Sequence, residues 1–328
     1  MPLIRAALAV ALAAGALAAP CAGEAQHAAK IWRVGYLGYA YPTEARDLEA
    51  FRRRLRDLGY VEGKNLVIES RQADPGFERL PALAAELVAL KVDVIAAVGN
   101  PTIVALKRAT QTIPIVMIAA GDPVGAGLVK SLAHPGGNVT GLSSRVDGLS
   151  AKWLELLTQA VPGITRVGVL TGPKQPGHAA VLGEITLAAQ RAGITVLGLE
   201  VGGRDDIERA VVALTKSRKS GLIVLPGPVV LTHQTPVLEF AAQHRLPAIY
   251  PYRQFAESGG LMAYAPNRTE MYRQSATFVD KILRGAKPGD LPVEQPTTFE
   301  LIINLTTARA LGLTIPRAML LQANQLIE

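Results

Sequence analysis

The chain has 328 residues, a length that leaves room for two domains. Hydrophobic residues make up 49% and charged residues 19% of it, a balance that excludes a disordered chain. The sequence also lacks the G-X-Y period of collagen. The single cysteine, Cys21, excludes a disulfide framework and a zinc site built on thiolates. The net charge of +7 comes from scattered positions, so a nucleic-acid surface is not indicated.

Residues 1–25 have the pattern of a secretion signal. A basic start precedes an unbroken run of Ala, Leu, Val and Gly over residues 6–19, which Pro20 ends before a polar stretch. The run is about 14 residues long, short of the roughly 20 that a membrane span needs. Cleavage could follow either of two small-residue motifs, residues 16–18 or 23–25. We predict an exported, periplasmic protein, and Pro20 argues against lipid anchoring at Cys21.

From residue 31 onward, strand-like and helix-like segments alternate. Short apolar runs predict strands, and apolar residues spaced three or four apart predict the helices between them. The first strands are predicted at 32–37, 66–70, 92–98 and 115–118, and the helices at 44–58, 77–90, 102–109 and from Asp122 to about 133. Such alternation is typical of right-handed βαβ units and a parallel sheet.

The second half of the chain repeats this pattern. Strands are predicted at 167–170, 194–199, 222–225, 248–250 and 261–264, and helices at 148–160, 177–192, 206–215 and 235–244. Asn267 with Glu270 resembles a capping box for a helix through Leu283, followed by an extended stretch at 291–304 and a last helix around 306–311. We therefore predict an α/β protein with two doubly wound parallel-sheet lobes and a ligand cleft between them.

Several sequence patterns of enzymes are missing. The turn after the first strand, from Gly35 to Gly38, is not the G-x-G-x-x-G of a dinucleotide site. The chain also has no G-x-x-x-x-G-K-[ST] phosphate loop and no G-x-S-x-G nucleophile elbow. Its five histidines are far apart and lack neighbouring acidic ligands. We predict no enzyme, no cofactor and no metal site, and an exported α/β enzyme is the alternative that the sequence supports least.

Ligands of open parallel sheets bind beyond the carboxyl ends of the strands. Here those ends carry short loops rich in glycine, hydroxyl and amide residues, and five of the eight tyrosines lie in or beside such segments. The candidate ligand-binding residues are Tyr39, Asn100, Thr102, Asp122, Thr171, Gly227, Tyr252 and Tyr264.

Each of these candidates also has a simpler structural interpretation. Asn100 as helix cap would leave the N–H groups of Thr102 and Ile103 free for a carboxylate or phosphate, or it could merely start a helix. Asp122 could pair with a ligand ammonium or could cap its own helix. The tyrosines could line a cleft or pack at strand ends, and Trp153 is predicted to be core.

Five segments together resemble the ABC-transporter substrate-binding protein family that includes tryptophan- and tyrosine-uptake components. They are residues 58–65, 122–124 with 135–141, 259–264, 279–288 and 299–305. The resemblance covers the chain from about Trp32 to its end. It implies a periplasmic-binding fold of the first type with three crossings between the lobes. The first lobe would hold residues 31–145 and 266–288, and the second 146–265 and 289–328.

The resemblance also implies a function. A small ligand would bind in the cleft, hinge closure would trap it, and a membrane permease with an ATPase would receive it. A ligand carboxylate would meet Asn100 and Thr102, and Tyr39, Tyr252 and Tyr264 are candidates for stacking on a ring.

Our leading hypothesis is an exported, monomeric solute-binding receptor of an ABC importer, for an amino acid or a carboxylate-bearing ligand. The alternative is a ligand-sensing module that passes binding status to a membrane protein. A DNA-binding repressor is rejected, since the secretion signal occupies the place before Trp32 where its helix-turn-helix would stand.

Overall fold

The computed structural model describes residues 30–40, 44–74, 77–146, 148–173, 175, 177–215 and 219–328. Of these, Trp32–Glu328 form one compact unit. The predicted secretion signal at residues 1–25, including Cys21, lies outside the described residues. None of the helices in the described ranges combines the length and the apolar character that crossing a bilayer requires.

Strands and helices alternate along the chain. The strands are β1 (Trp32–Tyr39), β2 (Leu66–Ala73), β3 (Val94–Val98), β4 (Ile115–Ala120), β5 (Val139–Ser143), β6 (Arg166–Thr171), β7 (Thr195–Glu200), β8 (Ser220–Val224), β9 (Ala248–Tyr250), β10 (Met262–Pro266), β11 (Phe299–Asn304) and β12 (Gln325–Ile327). The helices are α1 (Glu44–Asp57), α2 (Leu80–Ala89), α3 (Gly99–Ala109), α4 (Leu149–Ala160), α5 (His178–Arg191), α6 (Arg204–Thr215), α7 (Pro228–Thr232), α8 (Gln234–Gln243), α9 (Arg253–Glu257), α10 (Arg268–Leu283), α11 (Leu305–Leu311) and α12 (Arg317–Gln322), with a 3₁₀ turn at Pro288–Asp290.

The strands form two sheets. The first has the order β2-β1-β3-β4-β5, with every neighbouring pair parallel. The second has the order β12-β11-β10-β9-β8-β6-β7 and is parallel except where β10 meets β11. The prediction of two α/β lobes with parallel sheets is thereby confirmed.

The hydrophobic pattern explains why the sheets are covered on both faces. Each residue of β3, β5 and β8 is buried, as expected for strands between helical layers. On α1, Leu48, Phe51 and Leu55 recur at helical spacing and are buried. One apolar core lies around the first sheet and two adjoining cores around the second.

The chain passes between the sheets three times. The first crossing links β5 to α4, the second links β10 to α10, and the third leads from Glu294 to β11. Although β10 belongs to the second sheet, Tyr272 and Phe278 of α10 pack into the core of the first. The stretch after α10 also stays with the first sheet, because the Val293 N–H donates to the Leu132 carbonyl at 2.7 Å and Glu294 pairs with Leu142. The resemblance instead implies that residues 289–328 belong to the second lobe, and the structure differs from this for the stretch up to Glu294.

Two local predictions differ from the structure. Residues after Asp122 form a series of turns rather than a helix, and Gly127 there has a left-handed φ of +65°. Strand β5 was not predicted, since its run is short and contains Gly141. This glycine is required where the β4–β5 register shifts: its φ is +123°, and a Cβ would lie 2.4 Å from the carbonyl oxygen of Met117.

Candidate functional site

A cavity of about 220 Å³ opens where the carboxyl ends of the two sheets face each other. The loops after β1, β3 and β4 line it from the first sheet, and those after β6, β8 and β9 from the second. Residues from the first two crossings and Glu300 of β11 complete the wall. Such a cavity suits a small molecule enclosed by both lobes.

Aromatic side chains form much of the apolar wall. Tyr39 of β1 meets Phe77 edge to face, with 5.1 Å between ring centroids. Tyr252 lines the cavity from the second sheet, and its ring lies 6.3 Å from that of Phe255. Trp153 of α4 lines it from the first crossing, and its Nε1–H donates to the carbonyl oxygen of Tyr264 at 2.7 Å. Aromatic faces from both lobes can therefore contact one ligand.

The start of α3 differs from the sequence prediction. The helix begins at Gly99 rather than after Asn100, and the Asn100 side chain accepts a hydrogen bond from the Gly121 N–H at 3.0 Å. The helix begins at Gly99, so Thr102 is its fourth residue. Its N–H is the first that bonds within the helix, and it is therefore not free for a ligand. The N–H groups of Gly99 and Asn100 occupy the first turn instead, at the cavity wall.

Charged side chains lie together at the first crossing. Arg145 donates from Nη1 to Oδ2 of Asp122 at 2.9 Å, and its Nη2 lies 3.7 Å from Oε1 of Glu184 on α5. Oε2 of Glu184 accepts from the Ser150 hydroxyl at 2.6 Å. Asp122 follows β4 in the first sheet, so this cluster joins both sheets to the crossing between them.

The other two crossings also bring charges to the cavity. Arg268 at the start of α10 donates to Glu44 at 2.7 Å and to Asp47 at 2.9 Å. Arg253 of α9 donates to Glu300 of β11 at 2.8 Å. Burial raises the pKa of Glu300, against the opposing effect of Arg253. Both arginines are thus held by carboxylates on their own lobes.

His178, the first residue of α5, ties together two loops of the second lobe. Its Nδ1 accepts from the Gly172 N–H at 3.3 Å, and its Nε2 lies 2.9 Å from the carbonyl oxygen of Pro226. The carbonyl requires a proton on Nε2, which leaves Nδ1 as the acceptor of a neutral ring. Burial lowers the pKa of His178, and the Pro226 carbonyl opposes this effect.

Five of the predicted site residues line the cavity: Tyr39, Asn100, Asp122, Gly227 and Tyr252. The remaining three are engaged elsewhere. The Thr102 hydroxyl donates to the Val98 carbonyl at 2.7 Å, and the Thr171 hydroxyl donates to the Leu199 carbonyl at 3.5 Å. The Tyr264 ring stacks on Phe299. Ligand contact stays a prediction for all eight residues.

Other lining residues were not found from the sequence. Trp153 is buried as predicted, but it also lines the cavity. Arg145 and Glu184 give no local signal, because their partners are 23 and 39 residues away along the chain. The structure also shows that Phe77 and Ala119 line the cavity with left-handed φ values of 59° and 56°, which are uncommon for non-glycine residues. Lys91 and Arg245 have similar φ values away from the cavity, so the conformation alone does not mark the site. No group of three metal-ligating side chains converges within the described ranges.

The model of the ABC transporter substrate binding protein family matches residues 42–327, and the chain therefore belongs to this family. A tyrosine-binding protein of Clostridioides difficile (strain R20291) is 28% identical over 275 residues, which are 83% of this chain and 78% of the relative. The family consists of binding proteins rather than enzymes, which confirms the prediction of a non-enzymatic protein.

Solved structures agree with this assignment. An ABC domain from Streptococcus pneumoniae in complex with L-Trp has a TM-score of 0.83 and 26% identity, over 91% of this chain and all of that one. A conserved domain protein from Vibrio cholerae O1 has a TM-score of 0.82 and 30% identity, over 90% of this chain and all of that one.

Proposed function

We propose that this protein is the exported solute receptor of an ABC importer, which captures an amino acid or a similar carboxylate-bearing molecule and delivers it to a membrane permease. The cavity carries the proposal, because strand-end loops of both sheets enclose one small-molecule space. Family membership favours transport over the sensing alternative. The secretion-signal pattern at residues 1–25 supports a periplasmic location. We propose that the protein works there as a monomer beside its permease.

The relatives support an amino-acid ligand with a ring. One relative is a tyrosine-binding protein, and a similar structure contains L-Trp. On this chain, Tyr39, Phe77, Trp153 and Tyr252 offer aromatic faces to such a ring. The N–H groups of Gly99 and Asn100 at the start of α3 would receive the carboxylate, since a helix N-terminus favours negative charge.

Closure would follow from this arrangement. A ligand that contacts both sheets stabilises the closed state, because only there does it meet both sets of loops. Retained ligand should therefore raise the stability of the whole unit and not of one lobe alone.

Native mass spectrometry of the protein without residues 1–25, followed by thermal melting with amino acids, aromatic acids and small carboxylates, tests the proposal. We expect a retained mass or a rise of several degrees with one compound class. The Tyr252→Ala variant should lose that rise, whereas Phe299→Ala should keep it, since the Phe299 ring stacks on Tyr264 and does not line the cavity. Absence of any retained mass or shift would contradict the amino-acid class.

A further inference from the structure

Basic residues gather at the edge of the second sheet where its parallel strands begin, away from the cavity. We propose that this edge docks on the anionic phospholipid headgroups of a membrane surface. The cations, which we term the basic row, are Arg166, Arg191, Lys219, Arg245 and Arg309. The row lies outside the proposed ligand site, and docking there does not depend on which solute the cavity binds.

The fold brings these cations together from distant parts of the sequence. Arg166 begins β6, which pairs with β7 on one side and with β8 on the other. Arg191 ends α5 before β7, Lys219 precedes β8, and Arg245 precedes β9. Since neighbouring strands are about 4.8 Å apart, these four cations span roughly 15 Å along the sheet edge.

Helix α11 extends the row by one cation. Strand β11 runs antiparallel to β10, so it ends at the edge where the other strands begin, and α11 starts there. Nη2 of Arg245 donates to the carbonyl oxygen of Ala310 at 2.8 Å, which holds the loop before β9 against α11 and beside Arg309. Arg166 is half-buried, and the other four members of the row are exposed. The row is therefore a continuous, accessible surface.

The segments that carry these cations contain no acidic residue. They are residues 161–166, 190–195, 219–220, 243–247 and 305–313. Within the described ranges, none of the five cations forms an ion pair, whereas each arginine that lines the cavity is held by a carboxylate. The corresponding edge of the first sheet differs, since Glu62 and Asp93 lie there close in sequence to Lys64 and Lys91. The basic row thus carries positive charge that is not neutralised locally, and such a surface attracts anionic partners.

Exposed apolar side chains flank the row. Leu187 of α5 is 62% exposed and lies four residues before Arg191, so the two side chains are neighbours on the helix surface. Val212, in the last turn of α6, is 43% exposed on the helix that leads toward β8. Cations beside exposed apolar groups are typical of surfaces that lie in the headgroup region of a membrane. This combination favours a lipid surface over an acidic protein, which would match only the cations.

Docking through the basic row leaves the cavity open. Strands β6 to β9 are parallel, so all of them begin at the row and end toward the cavity. Strand β6 has six residues, which places the row roughly 20 Å from the strand ends that line the cavity. A protein held at a membrane in this way keeps its cleft accessible to solute.

Vesicle co-sedimentation of the protein without residues 1–25 tests the proposal. One set of vesicles is phosphatidylcholine alone, and the other contains about one third phosphatidylglycerol, both at about 0.05 M salt. We expect binding only to the vesicles with phosphatidylglycerol. That binding should be lost at about 0.5 M salt, because salt screens exposed charges.

Two double variants with the same change in net charge locate the surface. Arg191→Gln with Lys219→Gln should weaken vesicle binding about thirtyfold, since each cation near an anionic membrane contributes severalfold. Lys64→Gln with Arg108→Gln removes two exposed cations around the corresponding edge of the first sheet and should keep binding within about threefold of the wild type. Circular dichroism melting checks that both variants are folded.

Three results would overturn the proposal. The first is no binding to vesicles with phosphatidylglycerol at low salt. The second is equal weakening by both double variants, which would show that net charge alone drives binding. The third is row-dependent binding to poly-L-glutamate without binding to vesicles, which would place an acidic protein on this edge instead. Each of these results leaves the proposed solute binding in place, because thermal melting with ligands reports on the cavity and not on this edge.

Discussion

The His178 side chain connects two loops of the cavity wall. Its neutral ring accepts from the Gly172 N–H through Nδ1 and contacts the Pro226 carbonyl through Nε2. Protonation would place a hydrogen on Nδ1 facing the Gly172 N–H, so the first contact would be lost. The loops after β6 and β8, which both line the cavity, therefore depend on this ring staying neutral.

This dependence predicts a loss of stability in acid. Burial lowers the pKa of His178 in the folded protein, so the unfolded chain binds the proton more readily. The neutral His178 ring contributes its full stabilisation above the pKa of about 6.5 that histidine has in the unfolded chain. This contribution declines as the pH falls below that value and through the lower pKa of His178 in the folded protein. Between about pH 7 and 5, the melting temperature should fall more for the wild type than for His178→Gln.

The exposed His134 provides the matched control. His134→Gln should retain the wild-type dependence of melting temperature on pH. Parallel curves for the wild type and His178→Gln would show that the His178 ring does not titrate as the structure indicates.

Helices α1 and α10 are joined by a buried polar network at the second crossing. Glu44 and Asp47 of α1 have side-chain exposures of 1% and 0%, and both accept from Arg268 of α10. The Tyr272 hydroxyl donates to Glu44 at 2.8 Å, and the Tyr36 hydroxyl also bonds to Glu44. Arg46 lies 3.6 Å from Asp47, but the Arg268 guanidinium is the cation that contacts both buried carboxylates and makes them tolerable.

Removing that cation should be costly. We expect Arg268→Met to lower the free energy of unfolding by about 3 kcal/mol, because it leaves uncompensated charge in the interior. Arg273→Met on the same helix should cost less than about 1 kcal/mol, since Arg273 pairs with Glu270 at the surface. Urea unfolding of both variants checks this, and equal losses would refute the structural role of the network.

At this scale, much could be predicted from the sequence. Buried strands such as β3 and β9 were recognised from their apolar runs, and the Asn267 cap is confirmed by the Glu270 N–H at 2.9 Å from its side chain. Strand β5 was missed because Gly141 is selected by contact with Met117, a tertiary requirement. The helix predicted after Asp122 stops after about one turn, because Gly127 has a left-handed φ of +65° and the Leu128 N–H donates to the Pro123 carbonyl.

At the scale of the whole molecule, only part of the cavity wall could be predicted from the sequence. Strand-end loops are local features, so Tyr39, Asn100 and Tyr252 were identified as candidates and do line the cavity. Arg145 and Glu184 were not identified, since they meet only after the chain has crossed between the sheets. Polar contacts between lobes depend on the relative placement of two sheets, which no local pattern encodes.

The three crossings define how the lobes can move. Each carries or adjoins a charged residue at the cavity: Arg145 at the first, Arg268 at the second and Glu300 after the third. The first and third crossings are also linked, because the Gln295 side chain donates to the carbonyl of Arg145 at 2.7 Å. In the proposed receptor, a ligand in the cavity would contact the crossings themselves, and this contact would allow binding to bias closure.

Fluorescence of Trp153 is the most direct test of binding in this cavity. The chain has two tryptophans, so a Trp32→Phe variant leaves Trp153 as the sole indole, and it lies in the cavity wall. We predict a saturable change in its emission on titration with L-tyrosine or another amino acid, with one site per chain. Binding detected calorimetrically without any change in Trp153 emission would place the ligand elsewhere and contradict the proposed receptor site.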